Sequence, residues 1–477
     1  MSNLATSSAG KRIASLLDEN SFVEIGAKVT ARATDFNLEQ TKTPSDGVIT
    51  GYGVIDGNLV YVYSQDASVL GGSVGEMHAK KIANLYDLAM KVGAPVIGLI
   101  DSAGMRLQEA TDALNAFGVI YQKQVMASGV IPQITAVFGN CGGGLALIPT
   151  LTDFTFMEEK NAKLFVNSPN ALDGNNESKC DTAAAAFQSE EAGIVDFVAD
   201  EATIFAEIRD LVCMLPANNE EEADSDCSDD LNRACADLAN CVGDTAIALS
   251  QIADDNNFFE VKETYAKDMV TGFLKLDGLT VGAVANRTEV YDEEGKVSEK
   301  FDAVLSVKGA KKAADFIKFC DAFEIPVLSL TNVKGYAATK CAEKGIAKAT
   351  AELTYAFADA TVPKVNVIIG KAYGSAYVAM NSKAIGADMT FAWPTAEVGA
   401  MDAKLAAKIM YEGQGADVIN EKAAEYASLQ TSAESAAQRG YVDTIIDAQD
   451  TRKYVIGAFE MLYTKREDRP GKKHGTV

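Results

Sequence analysis

Hydrophobic residues along the chain fall into short runs whose spacing alternates between that of strands and that of helices. The clearest run, at 134–138, is apolar and rich in β-branched residues, so it predicts a buried strand. Three consecutive glycines follow at 142–144, and small apolar residues at helical spacing come next. A strand that enters a helix through glycines presents bare backbone N–H groups, which favour an oxygen that carries or develops negative charge.

The pattern before that strand predicts a regular succession of elements. We predict a helix over 8–22, a β-hairpin over 47–66 with its turn at Asp56-Gly57, and a helix from 76 to about Val92. A strand follows over 95–101, then a loop over 102–109 and a helix from about 111 to 127. Strands that alternate with helices in this way predict a layered α/β architecture with crossover helices.

The same pattern occurs a second time in the chain. Pro132 matches Pro363 and Gly139 matches Gly370, each 231 positions later (363 − 132 and 370 − 139). The segment 79–104 parallels 310–335 at the same offset, and the offset drifts to 221 at the Asp-Gly turns, as loop insertions would produce. We interpret this as an internal duplication that yields two similar domains, each with its own candidate oxyanion hole.

A dense acidic segment marks the predicted boundary between the two halves. Residues 217–230 read ANNEEEADSDCSDD, without an apolar period, which is typical of a solvated linker. The predicted domains are therefore 1–225 and 226–477. The basic segment 465–474 at the C-terminal end is interpreted as a mobile or partner-draped tail.

Composition narrows the functional classes. The formal net charge of −24 disfavours nucleic acid and anionic membranes as partners but permits a small anionic ligand held by local basic groups. No apolar run reaches the length of a membrane span, and the first residues lack the pattern of a signal peptide. Eight scattered cysteines favour free thiols and a cytoplasmic location, and no cluster with metal-ligand spacing is present, so no protein-bound metal is expected.

Two local motifs resemble sites for other chemistries, but each has a structural interpretation that fits the sequence better. Residues 71–75 match the G-x-S-x-G nucleophile elbow, but acyl transfer through Ser73 needs a histidine base, and the chain has only His78 and His474. A glycine-rich loop capping a helix is the better interpretation. The segment 89–92 (AMKV) resembles the lysine motif of biotin carrier domains, but its surroundings have helical period, which favours a solvated helix-end Lys91.

The glycine turns remain after this comparison. One turn alone is a weak signal, since close packing of strand on helix also uses glycine. Two turns at a fixed offset, each after a buried strand, favour stabilisation of an enolate or oxyanion without a metal or a histidine. With a thioester substrate, the N–H groups would hold the enolate oxygen formed when the α-carbon loses a proton or CO2.

Several longer segments resemble one known family, the beta-type carboxyltransferase subunit of biotin-dependent acyl-CoA carboxylases and of the related decarboxylases. The similarity runs over nearly the whole chain. The most specific segments are DGVITGYGVIDGNLVYVYSQD, GGSVGEMHAKKI, DSAGMRLQEA, NCGGGLALIPTLTDFTFM, YAFADATVPKVNVIIGKAYGSAYVAM and GADMTFAWPTAEVGAM.

The resemblance implies an architecture and a set of partners. Each half would be a crotonase-like (ClpP/crotonase) domain, and subunits would form a homo-hexamer, a dimer of trimers, with each active site between the N-domain of one protomer and the C-domain of another. Coenzyme A would bind mainly to the N-domain, and biotin, borne by a carrier protein or domain, to the C-domain. Further partners would be a biotin carboxylase subunit or a membrane decarboxylase subunit.

The resemblance also assigns roles to residues. The enolate-holding N–H groups would belong to Gly143 and Gly144 on the thioester side and to Ser375 and Ala376 on the biotin side. The cofactor-binding positions would be Lys80, Lys81, Ala103, Gly104, Arg106, Gly335, Gly374 and Val378. The three basic residues are candidates for contacts with CoA phosphates, with ordinary surface charge as the alternative, and the position of Val378 tunes acyl size in the family. Biotin itself would act as the base, which suits a chain with two histidines.

The chain departs from the family pattern in its second half. Members of the family usually read D-V-P-G-F where this chain has 332–336 (NVKGY), G-A-K at 350–352 (TAE) and G-G-A at 374–376 (GSA). The resemblance therefore leaves three functions open. They are carboxylation of a short acyl-CoA, a sodium-pump-coupled decarboxylation of methylmalonyl-CoA or glutaconyl-CoA, and a non-catalytic CoA-binding scaffold.

Overall fold

Two compact units make up the chain in the structure, a computed structural model that describes residues 6–32, 36, 38–292 and 294–477. Unit 1 is Met1–Ala223 and unit 2 is Asp224–Val477. The division falls inside the acidic segment 217–230. No helix among the described residues is long and apolar enough to cross a membrane.

Unit 1 contains one mixed sheet of eight strands. The strands are β1 (Val23–Ile25), β2 (Val48–Ile55), β3 (Asn58–Gln65), β4 (Val96–Ser102), β5 (Gln133–Gly142), β6 (Phe154–Glu158), β7 (Lys163–Phe165) and β8 (Phe197–Ala199). They are ordered β1-β2-β3-β4-β5-β6-β8, and β7 pairs with the end of β5. The first pairs are antiparallel and β3 to β6 are parallel. The β2–β3 hairpin turns at Asp56 and Gly57, both with positive φ, as a tight two-residue turn requires.

The helices of unit 1 include the two crossovers that the parallel strands require. They are α1 (Ser8–Leu16), α2 (Glu76–Val92), α3 (Ala110–Ala127), α4 (Leu147–Thr150) and α5 (Glu201–Met214). The predictions for α2 and α3 are confirmed, and α2 ends on Gly93 in the left-handed conformation of a helix C-cap. The prediction of a helix through residue 22 is wrong, because Leu17 is extended and Asn20 has positive φ.

Unit 2 repeats this sheet and adds a separate two-stranded ribbon. Its strands are β9 (Phe258–Val261), β10 (Met269–Leu276), β11 (Leu279–Asn286), β12 (Glu289–Tyr291), β13 (Val297–Lys300), β14 (Val327–Val333), β15 (Lys364–Tyr373), β16 (Met389–Ala392), β17 (Glu397–Gly399) and β18 (Thr444–Ile445). The order of the main sheet is β18-β16-β15-β14-β11-β10-β9, with β17 paired to the end of β15. Read from β9 to β18, this is the order of unit 1.

The helices of unit 2 are more numerous, because unit 2 has a larger C-terminal part. They are α6 (Leu238–Cys241), α7 (Thr245–Ile252), α8 (Val307–Ala322), α9 (Lys340–Glu343), α10 (Ile346–Asp359), α11 (Gly374–Ala379), α12 (Ala403–Met410), α13 (Ala416–Tyr426), α14 (Ala433–Gln438) and α15 (Thr451–Leu462). Helices α8 and α10 are the crossovers that correspond to α2 and α3. Each unit has its own apolar core between sheet and helices.

The register of the central strands preserves the offset seen in the sequence. Val96 pairs with Gln133 in unit 1, and Val327 pairs with Lys364 in unit 2. Each residue of the second pair lies 231 positions after its equivalent in the first pair (327 − 96 and 364 − 133). The duplication is therefore present in the hydrogen-bonded sheet as well as in the sequence. The predicted α/β class is confirmed.

The acidic segment and the basic tail both pack more than the sequence suggested. In unit 1 the buried Asn218 donates its amide to the carbonyl of Gly93 at 2.9 Å, and in unit 2 Ser225 N donates to Gly278 O at 3.1 Å. The two ends of the segment are thus fixed, each within its own unit. The tail is also held, since Arg469 donates to carbonyls at the C-terminal end of α10, where the helix dipole favours a cation.

Candidate active site

The first glycine turn lies at the C-terminal end of β5. The strand runs past the predicted 138 to Gly142, and Gly143–Ala146 then form a 3-10 turn that leads into α4. Gly143 has a φ of 63°, which favours glycine, and a Cβ there would meet no atom within 4 Å. The predicted change from strand to helix after the glycines is present, but α4 is a single turn containing Pro149, which has no N–H for a helical bond. The space beside Gly143 where a Cβ would stand is therefore open.

A tyrosine from α3 forms a hydrogen bond to this turn. The Tyr121 hydroxyl donates to the carbonyl of Gly144, and a Cβ at Gly144 would lie 3.1 Å from that hydroxyl. Burial raises the pKa of Tyr121, so the phenol remains a donor at neutral pH. This contact fixes the carbonyl of Gly144, in the peptide that directly follows the candidate N–H groups of Gly143 and Gly144.

The second glycine turn lies at the end of β15. Gly374 has a φ of 62° and begins α11, and a Cβ there would come within 3.3 Å of the Ala400 carbonyl. Ser375 is exposed and Ala376 is buried. The structure therefore places the two predicted pairs, 143–144 and 375–376, at equivalent strand ends of the two sheets.

Before each turn, a glycine leaves a gap in the strand that a polar side chain from the neighbouring strand fills, and we call this gap the notch. A Cβ at Gly139 would lie 2.1 Å from Asp101 Oδ1, and a Cβ at Gly370 would lie 2.6 Å from Asn332 Oδ1. Asn332 Oδ1 accepts from the backbone N–H of Lys371 at 3.0 Å. Sequence reasoning missed this notch, although the 231-residue offset relates Asp101 to Asn332 just as it relates the two glycines.

Two loops of unit 1 pair side by side next to the first turn. Ala103 N donates to Gly71 O and Val74 N donates to Gly104 O, both at 2.8 Å. A Cβ at Gly104 would lie 3.6 Å from the Gly142 carbonyl, so this loop packs against the end of β5. Ala103 is exposed and Gly104 is buried. The structure thus brings Ala103 and Gly104 together with the first glycine turn.

The predicted role of Arg106 in CoA phosphate binding is contradicted by its position. Its side chain is buried and forms ion pairs with Asp46 at 2.6 Å and Glu109 at 2.9 Å, and it donates to the Ser73 carbonyl at 2.7 Å. Burial raises the pKa of Asp46 to about 6, with Arg106 opposing the shift. The guanidinium therefore stabilises the two loops through buried contacts and is not accessible to a ligand.

Lys81 is also an internal residue, in contrast to Lys80. Lys81 Nζ donates to the carbonyls of Ser45 and Val48, and burial lowers its pKa to about 8. Lys80 is exposed and pairs with Glu76 at 2.6 Å on the first turns of α2. Of the three basic candidates, Lys80 alone remains accessible to a phosphate.

His78 has no part in activating Ser73. Its Nδ1 donates to the Asp46 carbonyl at 2.9 Å, and its Nε2 accepts from the Gln65 side-chain amide at 3.2 Å. Desolvation lowers the pKa of His78 to about 3, so the ring is neutral. The Ser73 hydroxyl instead faces Arg106. The geometry therefore supports the glycine-loop interpretation over the nucleophile elbow.

A pocket of about 380 Å³ opens beside the second turn in unit 2. It brings together the predicted Gly374 and Val378 with aromatic and basic side chains from the C-terminal helices. Its lining residues include Gly374, Tyr377, Val378, Lys383, Val398, Ala400, Tyr426, Arg439 and Tyr441. An apolar lining with a few polar groups suits a small ring with a polar edge. Within the described parts of the chain, no group of three or more His, Cys, Asp or Glu could hold a metal ion.

The sequence alone did not indicate one further contact at this turn. The Tyr336 hydroxyl donates to Ser375 Oγ at 2.8 Å, which joins the predicted Gly335 loop to the glycine turn. Both residues lie at positions where the chain departs from the family pattern. Their 39-residue separation hides the contact in the sequence, and the paired departures were the available signal.

The chain is similar to known proteins over nearly its whole length. The family model described as carboxyl transferase domain matches residues 6–477. The propionyl-CoA carboxylase beta chain of Roseobacter denitrificans is 41% identical, over 98% of this chain and 93% of its own length. The methylmalonyl-CoA decarboxylase subunit alpha of Propionigenium modestum is 39% identical, over 98% of this chain and 92% of its own.

A solved structure shows the same fold. The crystal structure of transcarboxylase 12S, described as a hexamer assembly with hydrolysed methylmalonyl-coenzyme A bound, superposes with a TM-score of 0.92 at 36% identity. The match covers 98% of this chain and 92% of that one. Both sheets and both turns of this chain therefore lie within the region of similarity.

Proposed function

The chain belongs to the carboxyl transferase family and is an acyl-CoA carboxyltransferase with a crotonase-like fold, and we propose that it moves a carboxyl group between biotin and the α-carbon of a short acyl-CoA. The observation that carries this proposal is the duplicated glycine turn. Gly143 and Gly374 have nearly the same φ at equivalent ends of two equivalent sheets. Two separate oxyanion-binding turns suit a reaction in which two different oxygens gain negative charge.

The first turn is proposed to hold the thioester oxygen. The N–H groups of Gly143 and Gly144 would donate to that oxygen as it becomes an enolate. The open space at Gly143 leaves room for the ligand, and the hydrogen bond from Tyr121 holds the carbonyl of Gly144 in place. Ala103 and Gly104, next to this turn, and the exposed Lys80 on α2 are proposed to contact coenzyme A.

The second turn is proposed to serve biotin carried by a partner protein. Biotin supplies the carboxyl group and the base when it is bound. The pocket beside Gly374 fits such a group, because its apolar and aromatic lining suits a fused ring while the N–H groups of Ser375 and Ala376 can donate to a ureido oxygen. Val378 lines this pocket and is proposed to limit acyl size, and Gly335 is proposed to contribute to biotin binding from its neighbouring loop.

Decarboxylation is a second candidate direction for the same chemistry. The relative from Propionigenium modestum is a methylmalonyl-CoA decarboxylase subunit, and its 39% identity is close to the 41% of the carboxylase chain. The turns bind the same oxygens in both directions, so the direction depends on the partner. We propose a biotin carrier with either a biotin carboxylase or a membrane decarboxylase subunit as that partner, and a cytoplasmic location.

The chain is further proposed to assemble as a homo-hexamer, a dimer of trimers. The support is the 36% identity to transcarboxylase 12S, whose structure is a hexamer. Mass photometry should give a particle of six times the chain mass of 50.5 kDa. A stable monomer or dimer at micromolar concentration would contradict the assembly.

The proposed function predicts the effect of blocking the first turn. The variant Gly143→Asp should lower biotin-dependent decarboxylation of malonyl-CoA or methylmalonyl-CoA by at least about 100-fold, since its side chain and negative charge would occupy the open space beside the turn that is proposed to bind the enolate. Mass spectrometry of the thioester products, with free biotin as acceptor, measures this.

Gly57→Asp is a matched control for backbone strain. Gly57 also has positive φ and no atom within 4 Å of a Cβ. It lies just before the start of β3, however, and β3, β4 and β5 are parallel, so Gly57 is at the opposite end of the strands from the end of β5. This control should keep its activity. Full activity of Gly143→Asp would sink the assignment, and coenzyme A thioester binding without any exchange in the unsubstituted chain would favour the scaffold alternative.

A further inference from the structure

The hydroxyl pair at the second turn has no counterpart at the first. The residues 231 positions before Tyr336 and Ser375 are Met105 and Gly144, and neither carries a hydroxyl group. The backbones correspond, because Tyr336 forms a parallel bridge with Leu305 as Met105 does with its own partner loop. The two units therefore present the same turn with different side-chain chemistry.

The direction of the hydrogen bond leaves one proton available. A phenol is more acidic than an aliphatic alcohol and is the better donor, so Tyr336 donates to Ser375 Oγ at 2.8 Å. Ser375 then keeps its own O–H proton for another acceptor. Ser375 is exposed, so a ligand at the turn can receive that proton. A donor that also accepts a hydrogen bond is polarised and donates more strongly.

We propose that the Ser375 hydroxyl is an additional donor to the oxygen bound at the second turn, and that Tyr336 is a positioning residue that holds this hydroxyl. This inference rests on the proposed function, in which the second turn binds the ureido oxygen of biotin. The backbone N–H groups and the Ser375 hydroxyl would then address the same oxygen. The second hole is consequently the stronger of the two and can stabilise a larger increase in negative charge.

Removal of each hydroxyl should have a distinct kinetic effect. Ser375→Ala should lower kcat for biotin-dependent decarboxylation by roughly 10-fold or more, with the KM for the acyl-CoA unchanged, because the lost donor acts on charge that grows during the reaction. Ser375→Thr keeps the hydroxyl and should restore most of kcat. Tyr336→Phe should lower kcat by about 2- to 10-fold, the effect of one lost hydrogen bond.

A double-mutant cycle tests the coupling. Tyr336→Phe should have no further effect in the Ser375→Ala background if Tyr336 acts through Ser375. Tyr454→Phe on α15, which removes a phenol hydroxyl outside the site, is the control and should match the unsubstituted chain. Thermal unfolding of every variant checks that the fold is retained.

The outcomes separate this inference from the function on which it rests. Absence of biotin-dependent turnover in the unsubstituted chain would overturn both. Normal turnover together with an unchanged kcat in Ser375→Ala would overturn the hydroxyl alone. Equal losses in Ser375→Ala and Ser375→Thr would also overturn it, since the threonine retains the donor. An undiminished Tyr336→Phe effect in the alanine background would contradict the positioning role.

Discussion

His78 is buried in unit 1 and is neutral, and this gives the protein a defined response to acid. Its ring is enclosed by Asp46, Gln65, Arg106 and Lys81, and desolvation together with the nearby cations lowers its pKa to about 3. His78 therefore binds a proton near the ordinary histidine pKa in the unfolded chain, whereas in the folded chain it stays neutral until the pH is much lower. Stability from this residue is present above about pH 6.5 and is lost as the pH falls from there towards 3.

The variant His78→Asn should reveal this contribution. It should be less stable than the unsubstituted chain near neutral pH, because a hydrogen bond is lost, but the difference should shrink by up to about 1.4 kcal/mol for each pH unit below about 6. Urea unfolding midpoints near pH 7.5 and pH 5 measure the two differences. A constant difference at the two pH values would show that His78 does not titrate between the folded and unfolded states.

At the residue scale, the sequence located glycines that the backbone requires, but it did not reveal which charged residues are buried. Gly143 and Gly374 could be found because backbone conformation constrains glycine locally. Arg106 was misassigned because its partner Asp46 lies 60 residues away in the sequence. A single sequence identifies a charged residue but not the distant partner that allows its burial.

At the scale of elements, the notch at the end of each central strand pair explains why a glycine precedes the turn. Gly139→Ala would place a Cβ 2.1 Å from Asp101 Oδ1, which cannot be accommodated without movement of Asp101 away from its ion pair with Arg12. The expected loss of stability is about 1–3 kcal/mol. Differential scanning calorimetry should therefore show a lower Tm for this variant.

A control for that substitution is available on α3. Gly118 is an exposed helical glycine with no atom within 4 Å of a Cβ, so Gly118→Ala should leave Tm unchanged or raise it. An equal Tm for Gly139→Ala and Gly118→Ala would contradict the notch. Gly370→Ala tests the same device in unit 2, where Asn332 takes the place of the aspartate.

Elements with strong periodicity were predictable, whereas their ends depended on contacts. The crossover helices α2 and α3 were found nearly to the residue, because each carries a long apolar face. Helix α1 ends earlier than predicted, and the helical pattern after the glycines, which had no predicted end, is a 3-10 turn and one helical turn. The acidic segment is polar along its length, yet Asn218 is buried through a hydrogen bond that composition does not reveal.

At the scale of the whole molecule, the duplication made the fold predictable. A repeat with a constant offset in its strands implies two copies of one topology, and the two sheets have the same strand order. The pocket beside Gly374 was not predictable, because its lining includes Tyr426 and Tyr441 from C-terminal elements outside the repeat. The sequence therefore located both turns but only part of what surrounds the second.

The transfer of a labelled carboxyl group between two thioesters would demonstrate the proposed carboxyltransferase reaction. The chain would be mixed with methylmalonyl-CoA labelled with carbon-13 in its free carboxyl group, unlabelled acetyl-CoA and free biotin, and malonyl-CoA would be followed by mass spectrometry. Labelled malonyl-CoA should form, its formation should depend on biotin, and it should be lost in Gly143→Asp. Binding of both thioesters without biotin-dependent transfer of label in either direction would contradict it.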